Sequence, residues 1–415
     1  MRLKGNLPFM KEINRRLILD TIRRKGSLSR ADLAKETQLN PSTVTRITAE
    51  LINEGFIREV GYADSQGGRK PILLNLVADA VHIIGINVET TEVIGVVSNL
   101  IGEVLYKITC PIKDTSKDGI LQVITQTIQQ LLDAANNDGR SIVGIGLAMH
   151  GLVDCDNGIA LYPPAFGWKN LAIVSLLEEK FRIPVQLENN ARAMALGEWW
   201  FGAGKDLSNF IAVKVGHGIG SGIFLNGEIF RGINFVAGEL GHTTLLVDGP
   251  LCDCGNYGCL EALASTKALV KRAQRSLKEG VESQILTLAG SPEQVEPEHI
   301  FKAADNQDPL AIQLLQDMGR YLGIALANLV NLLNPTKIIL GGDILPGLEH
   351  ILPILQTTVH SRAMEIPAHK LIIEPIKLGV NAVSIGAVSL ILEEFFSTKR
   401  PNLKKDLSIW KEKQT

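Results

Sequence analysis

Cysteine is scarce in this chain: five among 415 residues, three of them within positions 252–259. That excludes a disulfide framework as the source of stability and leaves a local metal site to be tested. Also missing is any uninterrupted run of about 20 apolar residues, the length a bilayer-crossing helix requires, so no membrane insertion is expected. The opening residues, MRLKGNLPFMKE, hold no apolar stretch of secretory type, which makes the cytoplasm the expected location. Net charge is small as well, −2 from 42 basic and 44 acidic residues, with 21% charged and 45% hydrophobic residues overall. Such a balance excludes disorder as the dominant state. The length suffices for two or three domains, since single cores rarely exceed about 250–300 residues.

The small net charge hides a division. Residues 1–80 carry fourteen Lys or Arg against nine Asp or Glu, whereas the remainder carries 28 against 35. A basic module precedes an acidic one. Ile13, Leu17, Ile18 and Ile22 recur near helical spacing until Gly26 and predict a helix over 11–25. A second, short helix opens at Ser29, where Asp32 completes a capping-box pair; it turns Leu33 and Ala34 inward and ends near Thr37. The third begins Asn40-Pro41-Ser42-Thr43, a capping side chain followed by proline at the first helical position, where its missing N–H costs nothing. Val44, Ile47 and Leu51 line its inner face. Ser42, Thr43, Thr45 and Arg46 are left at the exposed end, from which a recognition helix reads base edges. After Gly55 the pattern changes to strands at 56–60 and 72–76 joined by GYADSQGGRKP. Gly67 and Gly68 permit close backbone approach, and Arg69 and Lys70 place two cations at the tip of a wing that can reach phosphates or a narrow minor groove. Residues 1–80 therefore read as a winged helix-turn-helix that binds double-stranded DNA, with a role in protein contacts as the alternative.

Beyond residue 80 the runs HIIGINVE, EVIGVVSNL and GEVLYKITC read as an antiparallel meander, and a related order returns in FIAVKVGHGIGSGIFLNGEIF at 210–230. Helices are predicted at 118–135, 191–200, 265–278 and 308–333, and strands at 142–149, 184–188, 337–342 and 370–376. Two halves of one topology, with a cleft between two α/β lobes, are the expectation.

The winged helix together with GIGLAMHGLVD, LENNARAMALGE, GELGHTTL and CDCGNYGCLE resembles the ROK family, named for repressors, open reading frames and sugar kinases, in its xylose-repressor and N-acetylglucosamine-repressor branch. The likeness covers nearly the whole chain. It implies an actin-like, ribonuclease-H-type two-lobed domain over 81–400, followed by a tail at 401–415, and a homodimer or tetramer. His242, Cys252, Cys254 and Cys259 stand in the order H-x9-C-x-C-G-x2-G-C, which suits a tetrahedral, structural zinc with no open position for water; reduced thiols without a metal are the alternative. The resemblance supports the same four ligands. Cys110 and Cys155 stand apart and are expected to be buried as small apolar residues.

Kinases of the family open with Asp-x-Gly-Gly-Thr, where this chain has Asn87-Val88-Glu89-Thr90-Thr91. Glu89 would face the phosphates with like charge, and side chains replace the glycines that allow close approach. The second phosphate loop reads Gly216-His217-Gly218 without its threonine, and only the Gly-Gly-Asp at 341–343 and the later glycines keep the adenosine side. The catalytic aspartate of Glu-Asn-Asp-Ala is replaced in Glu188-Asn189-Asn190-Ala191, and loss of a positioned base costs on the order of 10²- to 10⁴-fold. No catalytic residue is assigned. The resemblance implies that Asn189, Asn190, Glu239, His242 and Glu261 hydrogen-bond sugar hydroxyls. Trp168 is placed either on a sugar's apolar face or in the core, and Pro164-Ala165-Phe166 departs from the Pro-Asn-Leu that often precedes that tryptophan. The function expected is a sugar-responsive transcriptional regulator, a repressor of carbohydrate-utilisation genes released by its sugar. A sugar kinase with an accessory DNA module is the alternative, and a protein-interaction adaptor the third.

Overall fold

The computed structural model describes residues 7–62 and 70–397; Gly67, Gly68 and Arg69 of the wing tip and the tail at 401–415 lie outside the described residues. Helix α1 (Leu7–Lys25), strand β1 (Leu28–Ser29), α2 (Arg30–Thr37), α3 (Pro41–Asn53), β2 (Ile57–Tyr62) and β3 (Ile72–Leu76) form the winged helix, with sheet order β1-β3-β2. Ser29 Oγ accepts the Asp32 N–H at 3.2 Å while the Asp32 carboxylate accepts the Ser29 N–H at 3.1 Å. Two donors that α2 would otherwise leave orphaned are thereby satisfied. Gln38, at φ 57°, ends the helix, and Asn40 Oδ1 accepts the Ser42 N–H at 3.2 Å to open α3. Ile18, Leu19, Ile22, Leu33, Val44, Ile47, Leu51 and Phe56 fill the core. Ile13 and Leu17 are only half-buried, and Leu19 takes the core place instead. The inward stripe of α1 is turned because the helix is covered on two sides, by its own module and by the last helix of the chain.

The rest is two lobes on one plan. In the first, β4 (His82–Val88), β5 (Glu92–Asn99) and β6 (Val104–Pro111) form the meander, and α4 (Lys117–Asn137) crosses to β7 (Ile142–Met149). A hairpin, β8 (Leu152–Asp154) and β9 (Ile159–Tyr162), and α5 (Ile173–Phe181) lead to β10 (Val185–Asn189), from which α6 (Asn190–Phe201) leaves for the second lobe. There β11 (Phe210–Val215), β12 (Ile219–Leu225) and β13 (Glu228–Ile229) repeat the meander. Helices α7 (Leu260–Ala264), α8 (Thr266–Lys278), α9 (Gln284–Ala289), α10 (Pro297–Asp305) and α11 (Pro309–Leu333) precede β14 (Lys337–Gly341); α12 (Leu348–Arg362) and α13 (Glu365–Lys370) precede β15 (Ile372–Pro375). The sheets run β6-β5-β4-β7-β10 and β13-β12-β11-β14-β15. Each has three antiparallel strands and then two parallel ones. This shared order is the duplicated ribonuclease-H-type plan that the sequence led us to expect.

Helix α14 (Ala382–Phe396) returns into the first lobe between its sheet and α6. The segment Gly379–Phe396 is long and apolar enough to cross a membrane, yet 72% of it is buried inside the protein. Glycines let it in: a Cβ at Gly85 would run into the Ser384 carbonyl, one at Gly146 into that of Ala387, and one at Gly386 into that of Ala193. A helical Gly→Ala change is ordinarily favourable by about 1 kcal/mol. At Gly386 the clash is with backbone and decides the sign. Gly386→Ala is expected to lower stability by about 1–3 kcal/mol, seen as an earlier urea midpoint with an unchanged slope.

Candidate functional site

The four residues with metal-ligand spacing converge. One ligand atom from each of His242, Cys252, Cys254 and Cys259 lies within 4.8 Å of all the others. Cys252 Sγ is 3.7 Å from His242 Nδ1, and the Sγ atoms of Cys254 and Cys259 are 3.7 Å apart. Gly258, at φ 65°, is needed there because a Cβ would strike the Leu246 carbonyl. Burial pushes the Cys252 thiol up to about 12. A soft cation reverses that and takes thiolates as ligands. Three sulfurs and one imidazole, two of the sulfurs buried, fit a metal ion in donor type and spacing.

His242 serves two neighbourhoods. Its Nδ1 faces Cys252, while its Nε2 lies 3.9 Å from the Glu239 carboxylate. Burial raises the Glu239 pKa, opposed by His242 and Arg192. Glu261 Oε2 accepts the Ile219 N–H at 2.8 Å, which sets its carboxylate against the Gly216-His217-Gly218 loop. Asn190 heads α6 at 7% exposure, and among the described residues its side-chain amide has no hydrogen-bond partner. Asn189 differs. Its Oδ1 accepts the N–H groups of Ala191 and Arg192 at 2.9 and 3.3 Å, and its Nδ2 donates to the Gly151 carbonyl at 3.0 Å. Most of its capacity goes to capping α6.

Sequence reasoning missed the network beneath these residues. Glu188, 1% exposed, accepts Arg192 Nε at 2.6 Å, Arg231 Nε at 2.7 Å and the Asn189 N–H at 2.8 Å. Arg192 Nη1 also donates to the carbonyls of Phe235 and Ala237, at 2.8 and 3.3 Å, so the first turn of α6, braced by Glu188 of β10, holds the loop before Glu239. Cys155 is not the inert apolar residue expected: it is half-buried and its thiol donates to Glu188 at 3.3 Å. Burial beside that carboxylate pushes the thiol up to about 12. Cys110 is likewise half-buried: it shares the inner face of β6 with Tyr106 and Ile108, near Gln130 of α4, but sits close to the open end of an edge strand. Trp168 stacks on Phe166 with centroids 5.9 Å apart and donates to the Thr115 carbonyl at 3.0 Å, packed against the first lobe's core.

At the place of the kinases' phosphate loop, Glu89 meets Lys214 at 3.0 Å and accepts Asn87 Nδ2 at 3.0 Å. Burial raises the Glu89 pKa, and Lys214 and Asn87 outweigh it to leave the carboxylate below its usual range. A Cβ at Gly216 would collide with the Asp343 carboxylate. His150, pushed down to about 4 chiefly by burial, is neutral beside them. Two carboxylates and one ammonium occupy the region, a poor seat for a polyphosphate.

On the N-terminal end of α3 and at the end of the wing, Ser42, Thr45, Arg46 and Lys70 are exposed and Thr43 half-buried. The Ser42 and Thr45 hydroxyls donate to Asn40 Oδ1 and the Pro41 carbonyl, at 3.0 and 2.9 Å, leaving lone pairs outward. Arg46, with its side chain 58% exposed, pairs among the described residues with Glu50 at 3.6 Å.

The ROK family matches residues 83–394, and a winged helix-turn-helix DNA-binding family matches residues 11–58. The chain belongs to the ROK family. The xylose repressor of Caldicellulosiruptor bescii is 34% identical over 394 residues, covering 95% of this chain and 98% of its own. The Escherichia coli DNA-binding transcriptional dual regulator NagC is 32% identical over 361 residues, 87% of this chain and 88% of its own. A solved ROK family transcriptional regulator, a homologue of the E. coli MLC protein, superposes with a TM-score of 0.82 at 31% identity, covering 94% of this chain and 98% of that one. A solved ROK family glucokinase from Streptomyces griseus superposes with a TM-score of 0.67 at 29% identity, over 74% of this chain and 98% of its own. With a winged helix joined to the ROK domain and repressors as relatives over nearly its full length, this ROK protein is a DNA-binding transcriptional regulator.

Proposed function

We infer that this ROK protein is a sugar-responsive repressor of carbohydrate-utilisation genes, acting in the cytoplasm as a homodimer or tetramer, and that it binds its sugar without phosphorylating it. The observation that carries the reading is a contrast between two neighbourhoods. Glu239, His242 Nε2 and the second carboxylate oxygen of Glu261 are not tied up in strong hydrogen bonds and can meet hydroxyls, whereas Glu89 is paired with Lys214 and Asp343 lies against Gly216 on the side read as the phosphate side. An amide at position 190 cannot accept the proton that phosphoryl transfer must remove. The metal is zinc, held by His242, Cys252, Cys254 and Cys259, and with all four positions taken by protein it fixes the loop. Ser42, Thr43, Thr45 and Arg46 read bases, and Arg69 and Lys70 contact the backbone from the wing. Two copies present α3 to half-sites about 34 Å apart, and sugar shifts the population toward a lobe arrangement with the wrong spacing.

A melting screen of D-xylose, D-glucose, N-acetylglucosamine and their phosphate esters tests this. A bound sugar raises the melting temperature by mass action, and the same sugar should release a duplex selected by the protein from a random pool. ATP-dependent phosphorylation at an enzyme-like rate overturns the reading in favour of a kinase, to which the shared two-lobed fold gives the standing of an alternative. Arg46→Ala should weaken duplex binding by about 1–3 kcal/mol while calorimetry finds sugar affinity unchanged.

A further inference from the structure

Helix α6 begins at Asn190, one of the residues proposed to meet sugar, and ends against the DNA-binding module. Asn189 caps it and Asn190 is its first residue; eleven residues on, about 17 Å at 1.5 Å per residue, it closes with Trp200 and Phe201. Trp200 is 5% exposed and meets Phe396 of α14 with centroids 5.9 Å apart. Above that pair lies Arg23 of α1, its guanidinium carbon 4.0 Å from the Trp200 ring centre and 5.3 Å from that of Phe396. Asp20 holds the same guanidinium in place at 2.6 Å. Two further contacts fix the winged helix to the end of α14: Arg16 Nη1 of α1 donates to the Glu394 carbonyl at 2.6 Å, and Phe56, just before β2, packs on Phe395 at 5.8 Å.

The middle of α6 is clasped from both sides. A Cβ at Gly222 of β12 would strike Ala195 and the Ala191 carbonyl, and one at Gly197 would strike α14 at the Ala382 carbonyl and Gly386. The helix is therefore packed closely between β12 of the second lobe and α14, and Arg192 on it holds the loop before Glu239. A packed interior of this density passes a displacement on as a rigid shift. A change of angle between the lobes has to move α6 against one of its neighbours.

We propose that α6 is the bar that couples sugar occupancy to the DNA-binding module, and that Arg23, seated on Trp200 and Phe396, is the contact through which its far end sets the position of α1. The coupling rests on the sugar-responsive reading above. Since α1, α2 and α3 share one core, a tilt of α1 re-aims α3 as a body. Arg23 is here a positioning residue that touches neither sugar nor DNA.

The full-length protein is titrated with the selected duplex, with and without each sugar of the melting screen. In the wild type, sugar is expected to weaken duplex binding by a factor within the range of about 5–150 usual for allosteric coupling, and in Arg23→Ala that factor should fall to about 2 or less. Sugar affinity by calorimetry should be unchanged in the variant, which also shows that it has folded. Arg23→Lys keeps a cation over the ring and should retain part of the factor, as should Trp200→Phe, whose smaller ring holds a cation less well. A wild-type coupling factor preserved in Arg23→Ala overturns the proposal and leaves the repressor reading standing. Loss of sugar affinity in Arg23→Ala also overturns it, since the residue then supports the fold and not the coupling. A wild type that binds sugar but holds its duplex equally with and without it overturns both.

Discussion

Glu188→Ala is expected to cost about 3–5 kcal/mol of stability, the usual result of deleting one partner from a buried ion pair. Arg192, 1% exposed, would keep only the Phe235 and Ala237 carbonyls, and Arg231 would lose its carboxylate. Calorimetric or urea unfolding reads the loss directly. The pH dependence gives a second, independent readout. Burial alone would raise the Glu188 pKa, but Arg192, Arg231 and the Asn189 N–H together hold it below the ordinary carboxylate range. A pKa depressed in the folded state contributes stability that is complete above the unfolded value of about 4.3 and is lost as pH falls through the folded value. Glu188→Gln should therefore lower stability at pH 7 and lose less of it on acidification than the wild type. An acid unfolding curve of unchanged steepness in Glu188→Gln, together with a cost under about 1 kcal/mol for Glu188→Ala, would show that the network holds nothing. Sugar affinity should fall with stability in the alanine variant, because the loop that Arg192 ties to β10 carries Glu239.

That network marks where the sequence stopped being legible. Local signals were strong wherever the chain pairs with itself nearby: Ser29 with Asp32, Asn40 before Pro41, and His242 with its three cysteines each announce their partner by spacing. Strands β7, β14 and β3 were placed to within a residue, because parallel or sandwiched strands are continuous apolar runs between turn residues. Glu188, Arg192 and Arg231 gave no such sign. A strand residue and a helix residue four apart do not read as a pair, and Arg231 lies 43 positions away. Lys214 was silent for the same reason, being 125 positions from Glu89 in a strand that otherwise reads as core. The length and apolar character of α14 are plain, but its seat is set by glycines at 85, 146 and 197, three separate places in the chain. The docking of α1 on Trp200 and Phe396 is likewise long-range chemistry that periodicity cannot show.

Chelation of the zinc proposed for the His242, Cys252, Cys254 and Cys259 cluster is the second large perturbation, and it separates the two roles proposed for His242. Structural zinc contributes on the order of 10 kcal/mol where it organises an entire small domain. Here it organises one loop of a large lobe whose core, from Ile211 to Ile373, is built elsewhere. The second lobe should therefore survive chelation while the stretch from Glu239 to Cys259 loosens, since the residues between hold each other chiefly through turns and single bridges. With Nδ1 released from the cluster, the imidazole is free to rotate and Nε2 leaves Glu239. Disturbing what orients a site residue costs about 10- to 100-fold in affinity or activity at metal centres, and a loss of sugar affinity of that size is expected here. Duplex binding by the sugar-free protein should change little, because the winged helix docks on α14 and α6, away from the cluster. Chelated protein should thus be a repressor deaf to sugar, with both properties restored by zinc. Cys259→Ser should reproduce the chelated state and reduce the metal content from one ion per chain toward none. Unaltered sugar affinity after complete removal of the metal would place His242 outside the sugar site and leave Glu239, Glu261 and Asn190 as its polar groups.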